Sequence, residues 1–332
     1  LRGKKLEIMS EQMDKSTKVK IQYASKYARV SNYWKYFIGQ SKGLNRLKIY
    51  DQKKAYEDEL QMWIEGDKKL KTKYGNALKL IDEAISEKSK INYSMMYYSE
   101  GLRGVEITQL PAGSFHMLHP MLLDEETKPE DLKKATERLK EMSADFFKDY
   151  DVTTDKNLMR EMFKMFIANV EQDHLPLIFQ SIIKKYKGDI DKYIDKVYSK
   201  SIFASEEKYL AFLDNPSLKK LDKDPAFQLY VSINKKQDEL RAMLAPSNAK
   251  MIEGRHLFLA AMLEKEQGSD LYPDANSTPR FTYGYVGGYD PADGVHFNHT
   301  TTIEGIMEKE DPTNNEFIVP AKLKELYEAK DY

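Results

Sequence analysis

The residues in this chain best suited to chemistry are histidines set near carboxylates. Glu171 and His174, and again Glu253 and His256, stand three positions apart, which on a helix puts both side chains on one face. Two such pairs with two further glutamates form the ligand set of a di-iron helical bundle. With only six histidines in 332 residues, chance alone yields about 0.5 Glu-x-x-His, and His174 lies two residues before Pro176, at a helix end. The plainer account is one helix-terminal histidine and one packed or surface histidine. His116 and His119 lie between Pro111 and Pro120, and His296 and His299 lie in a strand or loop pattern. Neither pair has a His-Glu-x-x-His frame or a clear third ligand. The sequence therefore predicts no metal and no other cofactor.

Nucleophilic and phosphate-binding signatures are missing as well. No serine sits in a Gly-x-Ser-x-Gly or Gly-x-Ser-Gly context. Gly284-Tyr285-Val286-Gly287-Gly288 lacks the lysine and following helix of a phosphate loop. With no cysteine at all, disulfides, thiolate zinc sites, iron–sulfur clusters and a cysteine nucleophile are excluded. The opening of the chain is basic and aromatic, with Lys18, Lys20, Tyr23, Lys26, Tyr27, Arg29, Tyr33, Trp34 and Lys35. Such a run could track a nucleic acid, but its aromatics share one helical stripe, the pattern of a solvated helix over an aromatic core. Within it, Asn32 is a poor helix former that offers a carbonyl acceptor and two amide donors, able to hold an amine or a peptide backbone. Composition by itself favours a structural role for Asn32.

These side chains must be positioned by helices. At 38.6 kDa, with 41% hydrophobic and 32% charged residues, net charge −1 and mean hydropathy −0.66, the chain has the composition of about two soluble folded domains. Its longest apolar run, Leu257 to Leu263, is far short of the ~18 residues a membrane span needs. Leu1, Leu6, Met9 and Met13 already form a helical stripe, so the sequence reads as beginning inside an element of a longer protein. Ser16 or Thr17 can cap a helix with Val19, Tyr23, Tyr27, Val30, Trp34 and Phe37 inward, ending at Gly39. Helical patterns follow over 44–73, with breaks at Gly66 and Gly75, and over 76–98, 129–147, 155–172, 176–187, 224–244 and 247–266. Near 268 the style changes: Gly268, Pro273, Pro279, Gly284, Gly287, Gly288, Pro291 and Gly294 arrive together. Residues 280–286 alternate as a strand before a Gly287-Gly288 turn, with 296–302 as a second strand. Residues 1–90 carry 21 basic and 12 acidic groups, residues 264–332 only 6 and 14, so the two ends are oppositely charged.

Four stretches resemble one family. They are 20–44 (KIQYASKYARVSNYWKYFIGQSKGL), 255–263 (RHLFLAAML), 271–295 (LYPDANSTPRFTYGYVGGYDPADGV) and 301–312 (TTIEGIMEKEDP). Their order and spacing are similar to those of the bacterial serine dipeptidyl-peptidases of the dipeptidyl-peptidase seven and eleven type, chymotrypsin-like enzymes with a large helical insertion. Pro279 departs from the apolar strand residue expected there, so the strand should start after it. The resemblance implies a Ser-His-Asp triad on a double β-barrel, with His and Asp before the helical insertion and Ser after it. This sequence would lie between them and be inactive alone. It implies a helical lid that closes the cleft beyond two residues and binds the substrate's free N-terminal ammonium. In the family that contact is made by the asparagine of the Ser-Asn-Tyr-Trp-Lys segment, which is Asn32 here. The other amine ligands, and the residue selecting the first pocket's side chain, would lie outside this sequence.

The expectation is thus a mainly α chain: a multi-helix lid domain over 1–267 and a partial β-barrel segment over 268–332. Asn32 is its substrate-binding residue, no catalytic or metal-ligating residue is expected within it, and no cofactor is. Its partners are peptides with a free N-terminus, without nucleic acid or membrane insertion; a homodimer of the full-length protein is compatible with this. The family implies a periplasmic or cell-surface location. The rival from another class is a non-catalytic helical module whose basic opening binds an acidic partner, with the di-metal bundle third.

Overall fold

Ser16 joins the first two helices. Extended at φ −152°, it ends α1 (Arg2–Lys15) and caps α2 (Thr17–Arg46), its Oγ accepting from the Val19 N–H at 3.4 Å. In this computed structural model, which describes residues 1–268, 277–314 and 316–331, the chain divides into two units, Leu1–Ser269 and Asp270–Tyr332. In the first unit α1 folds back along α2, so that Leu6, Ile8 and Met9 bury Val19 and Tyr23. Leu158 closes this small core from the far side. The helix does not stop at Gly39. A Cβ there would meet nothing within 4 Å, so glycine costs only its helix propensity, about 1 kcal/mol, and α2 runs on to Arg46.

Lys48, at φ 49°, turns the chain into α3 (Ile49–Glu65). The predicted breaks at Gly66 and Gly75 both occur, and between them Asp67 caps α4 (Lys68–Tyr74). α5 (Ala77–Glu100) leads through two 3-10 turns, Leu102–Gly104 and Glu106–Thr108, and short helical pieces to α6 (Pro129–Lys148) and α7 (Val152–Asn169). After them come α8 (Leu177–Tyr186), α9 (Ile190–Lys200), α10 (Glu206–Asp214), α11 (Pro225–Met243) and α12 (Ala245–Lys265). The main core joins Tyr98 to Phe163, Phe166, Phe179, Phe203 and Tyr209, all fully buried. Tyr98 meets Phe166 edge-on with ring centres 5.0 Å apart. Asp224 caps α11 and ties it to the preceding chain: its carboxylate accepts from the Ala226, Phe227 and Ile202 N–H groups and from the Ser201 hydroxyl. α12 runs antiparallel along α5, from Ser247 against Glu87 to Gly254 against Ile81 and Ala77, and ends on the Leu60, Ile64 and Tyr74 cluster.

The second unit carries the only strands among the described residues, a hairpin of β1 (Tyr289–Ala292) and β2 (Val295–Phe297). The mainly helical class expected from sequence holds, with a small β part, but the hairpin is not where the alternation placed it. Its turn is Asp293-Gly294, with Gly294 at φ +70°, the left-handed conformation glycine adopts without strain. Residues 280–286, the predicted strand, have no regular structure, and Phe281, Tyr283 and Tyr285 are over 90% exposed. An alternating segment becomes a strand only when a neighbouring strand takes its N–H and C=O groups, and none of the described residues does so. Pro273, among the residues marking the change of style, lies outside the described residues. The last helix is α13 (Ala321–Ala329).

Candidate functional site

The root of α2 is anchored by polar side chains reaching into buried ground. Gln22 Nε2 donates to the Lys148 carbonyl at 2.9 Å and the Tyr150 carbonyl at 3.3 Å. The Tyr23 hydroxyl donates to Glu106 Oε1 at 2.6 Å, and Lys26 Nζ meets Glu106 Oε2 at 2.6 Å while also donating to the Asp149 carbonyl. Burial and the neighbouring Glu106 and Asp155 charges push the Tyr23 hydroxyl's pKa far upward, so it stays a donor. Glu106 is itself held. Its backbone N–H donates to Asp155 Oδ1 at 2.6 Å and that of Ile107 to Asp155 Oδ2 at 2.9 Å, with the Tyr150 and Tyr198 hydroxyls completing four donors around the carboxylate.

Beyond Val30 the helix emerges from its cover. Ser31 is buried against the fold, whereas Asn32 is exposed, and among the described residues the Asn32 amide has no hydrogen-bond partner. Helical spacing places Ala28, Arg29, Lys35 and Tyr36 on the Asn32 face. Trp34 and Phe37, expected in the core, are 39% and 52% exposed. Val19 and Tyr23, at the root of this aromatic stripe, are buried under α1, and further along the Arg2 guanidinium stands 5.2 Å from the Tyr33 ring centre and 5.0 Å from that of Phe37. From Ser16 to Tyr50 there is no carboxylate. The exposed part of α2 is therefore a basic, aromatic surface on which the Asn32 amide stands.

The histidine pairs do not assemble. His174 is buried in a 3-10 turn with Nδ1 2.7 Å from the Ser94 hydroxyl, while Glu171 pairs with Lys90 at 3.1 Å. Glu253 and His256 flank Gly254, which touches α5 at Ile81. Ser94 is thirteen residues along α5 from Ile81, about 20 Å of helix, so the two Glu-x-x-His pairs cannot share a metal, and the di-metal bundle is ruled out. His116 Nε2 lies 3.2 Å from the Tyr230 hydroxyl, His119 Nε2 3.0 Å from Asp222, and His296 Nδ1 2.7 Å from Asp290 across the hairpin. Among the described residues no group of three or more histidines and carboxylates is placed to hold a metal.

The whole chain, residues 1–332, matches the family model described as Peptidase S46. This chain belongs to the Peptidase S46 family. It is 36% identical to dipeptidyl-peptidase 7 of Phocaeicola vulgatus and 32% identical to the Asp/Glu-specific dipeptidyl-peptidase of Porphyromonas gingivalis, covering 46% and 45% of their lengths. A crystal structure of Porphyromonas endodontalis DPP11 in complex with the dipeptide Arg-Glu superimposes with a TM-score of 0.82 at 30% identity, over all of this chain and 47% of that one. The S46 chain thus spans about half the length of the relatives it matches.

Glu106 and Asp155 hold the root of α2, and the sequence pattern does not single them out. The pattern starts a helix at Asp155, but the cap is Asp151, which accepts from the Thr154 N–H at 2.7 Å, so Asp155 falls inside the first turn, facing the core. A carboxylate on the apolar face of a helix, next to Leu158, Met159 and Met162, is the signal that could have found it.

Proposed function

We propose that this chain is the helical, substrate-capping part of a serine-type dipeptidyl-peptidase that releases dipeptides from the free N-terminus of peptides, with Asn32 accepting a hydrogen bond from the substrate ammonium. The observation that carries the reading is the end-to-end match to Peptidase S46 together with the placement of Asn32: an amide with no hydrogen-bond partner among the described residues, exposed on a helix whose root is fixed in the fold. A neutral amide oxygen can orient an ammonium without a countercharge. Since α2 supplies no carboxylate between Ser16 and Tyr50, the countercharge comes from the remainder of the full-length protein. The Ser-His-Asp triad lies there too, in the half of the relatives' length that this chain does not span, and the 332 residues are inactive by themselves. The exposed alternation Phe281, Tyr283, Tyr285 is the piece of barrel strand that such a partner sheet would pair, and the location is periplasmic or cell-surface.

The test is an assay of the full-length gene product on dipeptidyl substrates with free and with acetylated N-termini. Cleavage of the free-amine substrates alone, abolished by a serine-directed inhibitor, supports the reading; equal cleavage of both overturns it. The basic, carboxylate-free surface of α2 also fits a second reading, an interaction module for an acidic protein. That reading takes over if the full-length product has no peptidase activity and this chain retains an acidic partner in a salt-sensitive manner.

A further inference from the structure

Resting on the reading of Asn32 as the amine ligand, we propose that Glu106 is a positioning residue for it: the carboxylate that fixes the direction in which α2 leaves the fold and hence where the Asn32 amide stands. Three observations converge on Glu106. Its two oxygens are divided between two side chains of α2, Oε1 accepting from Tyr23 and Oε2 pairing with Lys26, both at 2.6 Å. Its backbone is pinned through Asp155, a fully buried carboxylate on α7. The turn that carries it is closed on both sides, by the Ile107 N–H on Asp155 and by the Thr108 hydroxyl donating to the Leu102 and Val105 carbonyls at 2.7 Å. Glu106 is thus a rigid bracket between the core and α2.

The leverage follows from helix geometry. Asn32 is nine residues beyond Tyr23, about 13.5 Å along the axis, so a 10° change of tilt at the root displaces the amide by about 2 Å. Misplacing a substrate-positioning group by about 1 Å can cost up to ~100-fold in rate. The contact further along, Arg2 over Tyr33 and Phe37, touches the face of α2 turned away from Asn32. Glu106 is the charged anchor at the root, beside the Gln22 amide, and its backbone is tied to the fully buried Asp155.

A coupling experiment on the full-length protein separates positioning from mere stabilisation. Glu106→Gln keeps the shape but offers Lys26 an amide nitrogen in place of a carboxylate oxygen; Lys26→Met breaks the same bridge from the helix side and guards against a folding defect in the first variant. Each should lower kcat/KM for free-amine dipeptidyl substrates by roughly tenfold in the wild-type background and by less than about twofold in the Asn32→Ala background, as expected for residues acting through one group. Equal losses in both backgrounds, or none in either, overturn the proposal. Hydrogen exchange probes the bracket independently of activity: both variants should speed exchange of α2 amides over 27–37 and leave those of α7 unchanged. Unchanged exchange in α2 sinks the positioning role even where Asn32→Ala is active, while faster exchange with a silent Asn32→Ala leaves Glu106 holding the helix and refutes the amine-ligand reading alone.

Discussion

Arg2 and Tyr33 tie the two ends of a helical hairpin together: the guanidinium lies over the ring at 5.2 Å, one residue from Asn32, and the same group pairs with Glu100 of α5 at 2.5 Å. The pair is half-buried, with about a fifth of the Arg2 side chain and a third of Glu100 exposed. Solvent therefore screens part of its Coulomb energy, and the cation–π contacts add about 0.5–1 kcal/mol each. Arg2→Leu, which keeps the apolar stem, should destabilise the helical unit by about 1 kcal/mol, a fall in Tm of ~2–4 °C at this size. An unchanged Tm would mean that the clasp contributes nothing.

Gly254 and Gly39 give opposite predictions for the same substitution. A Cβ on Gly254 would stand 2.9 Å from Ile81 Cγ1 and 3.0 Å from the Ala77 carbonyl oxygen of α5. The gain in helix propensity is about 1 kcal/mol, but overpacking against backbone costs ~1–3 kcal/mol, so Gly254→Ala should destabilise. At Gly39, with nothing within 4 Å, Ala should stabilise by about 0.5–1 kcal/mol. Urea midpoints measured side by side decide it, and a stabilised Gly254→Ala would refute the close α5–α12 approach.

Asp155 makes stability depend on pH. Burial first, and then the charge of Glu106, push its carboxyl up to about 7 from an ordinary 3.8, against the donors that favour its ionised form. Because the folded value is the higher one, the folded chain holds this proton where the unfolded chain has lost it. Stability from this group is full below about pH 4, declines as pH rises toward about 7, and is level above. Asp224, raised by burial, acts in the same direction. Asp155→Asn presents N–H groups to a site built of donors and should cost ~1–3 kcal/mol, yet its urea midpoint should fall less than wild type between about pH 4.5 and 7.5. A steeper decline in the variant contradicts the assignment.

Legibility in the sequence follows how local each signal is. The Ser16 cap and the Gly66 and Gly75 breaks depend on a few adjacent residues, and all appear where the pattern puts them. Trp34 and Phe37 repeat at core spacing, but whether a stripe is covered depends on what packs against it, and of this one Val19 and Tyr23 are buried while Trp34 and Phe37 are exposed. The 280–286 alternation has strand chemistry without a partner strand among the described residues, and the hairpin closes instead at Asp293-Gly294, itself a two-residue turn signal. Helices α9 and α10 carry their own caps at Asp189 and Ser205, a local signal that the hydrophobic pattern alone does not raise. Asn32 stands out only through its Ser-Asn-Tyr-Trp-Lys neighbourhood; nothing in helical periodicity distinguishes a surface asparagine that binds from one that does not. Glu106 and Asp155 become a pair only through a contact 49 residues apart.

The central claim is that Asn32 holds the substrate ammonium, and its most direct test is the steady-state kinetics of Asn32→Ala in the full-length protein on one dipeptidyl substrate with its N-terminus free and acetylated. The account predicts that kcat/KM on the free-amine substrate falls by roughly tenfold or more, about 1.4 kcal/mol of lost transition-state binding, and that the preference for the free amine narrows, with Tm unchanged because Asn32 is exposed and its amide makes no hydrogen bond among the described residues. Unchanged dipeptide release and an unchanged preference for the free amine would contradict it.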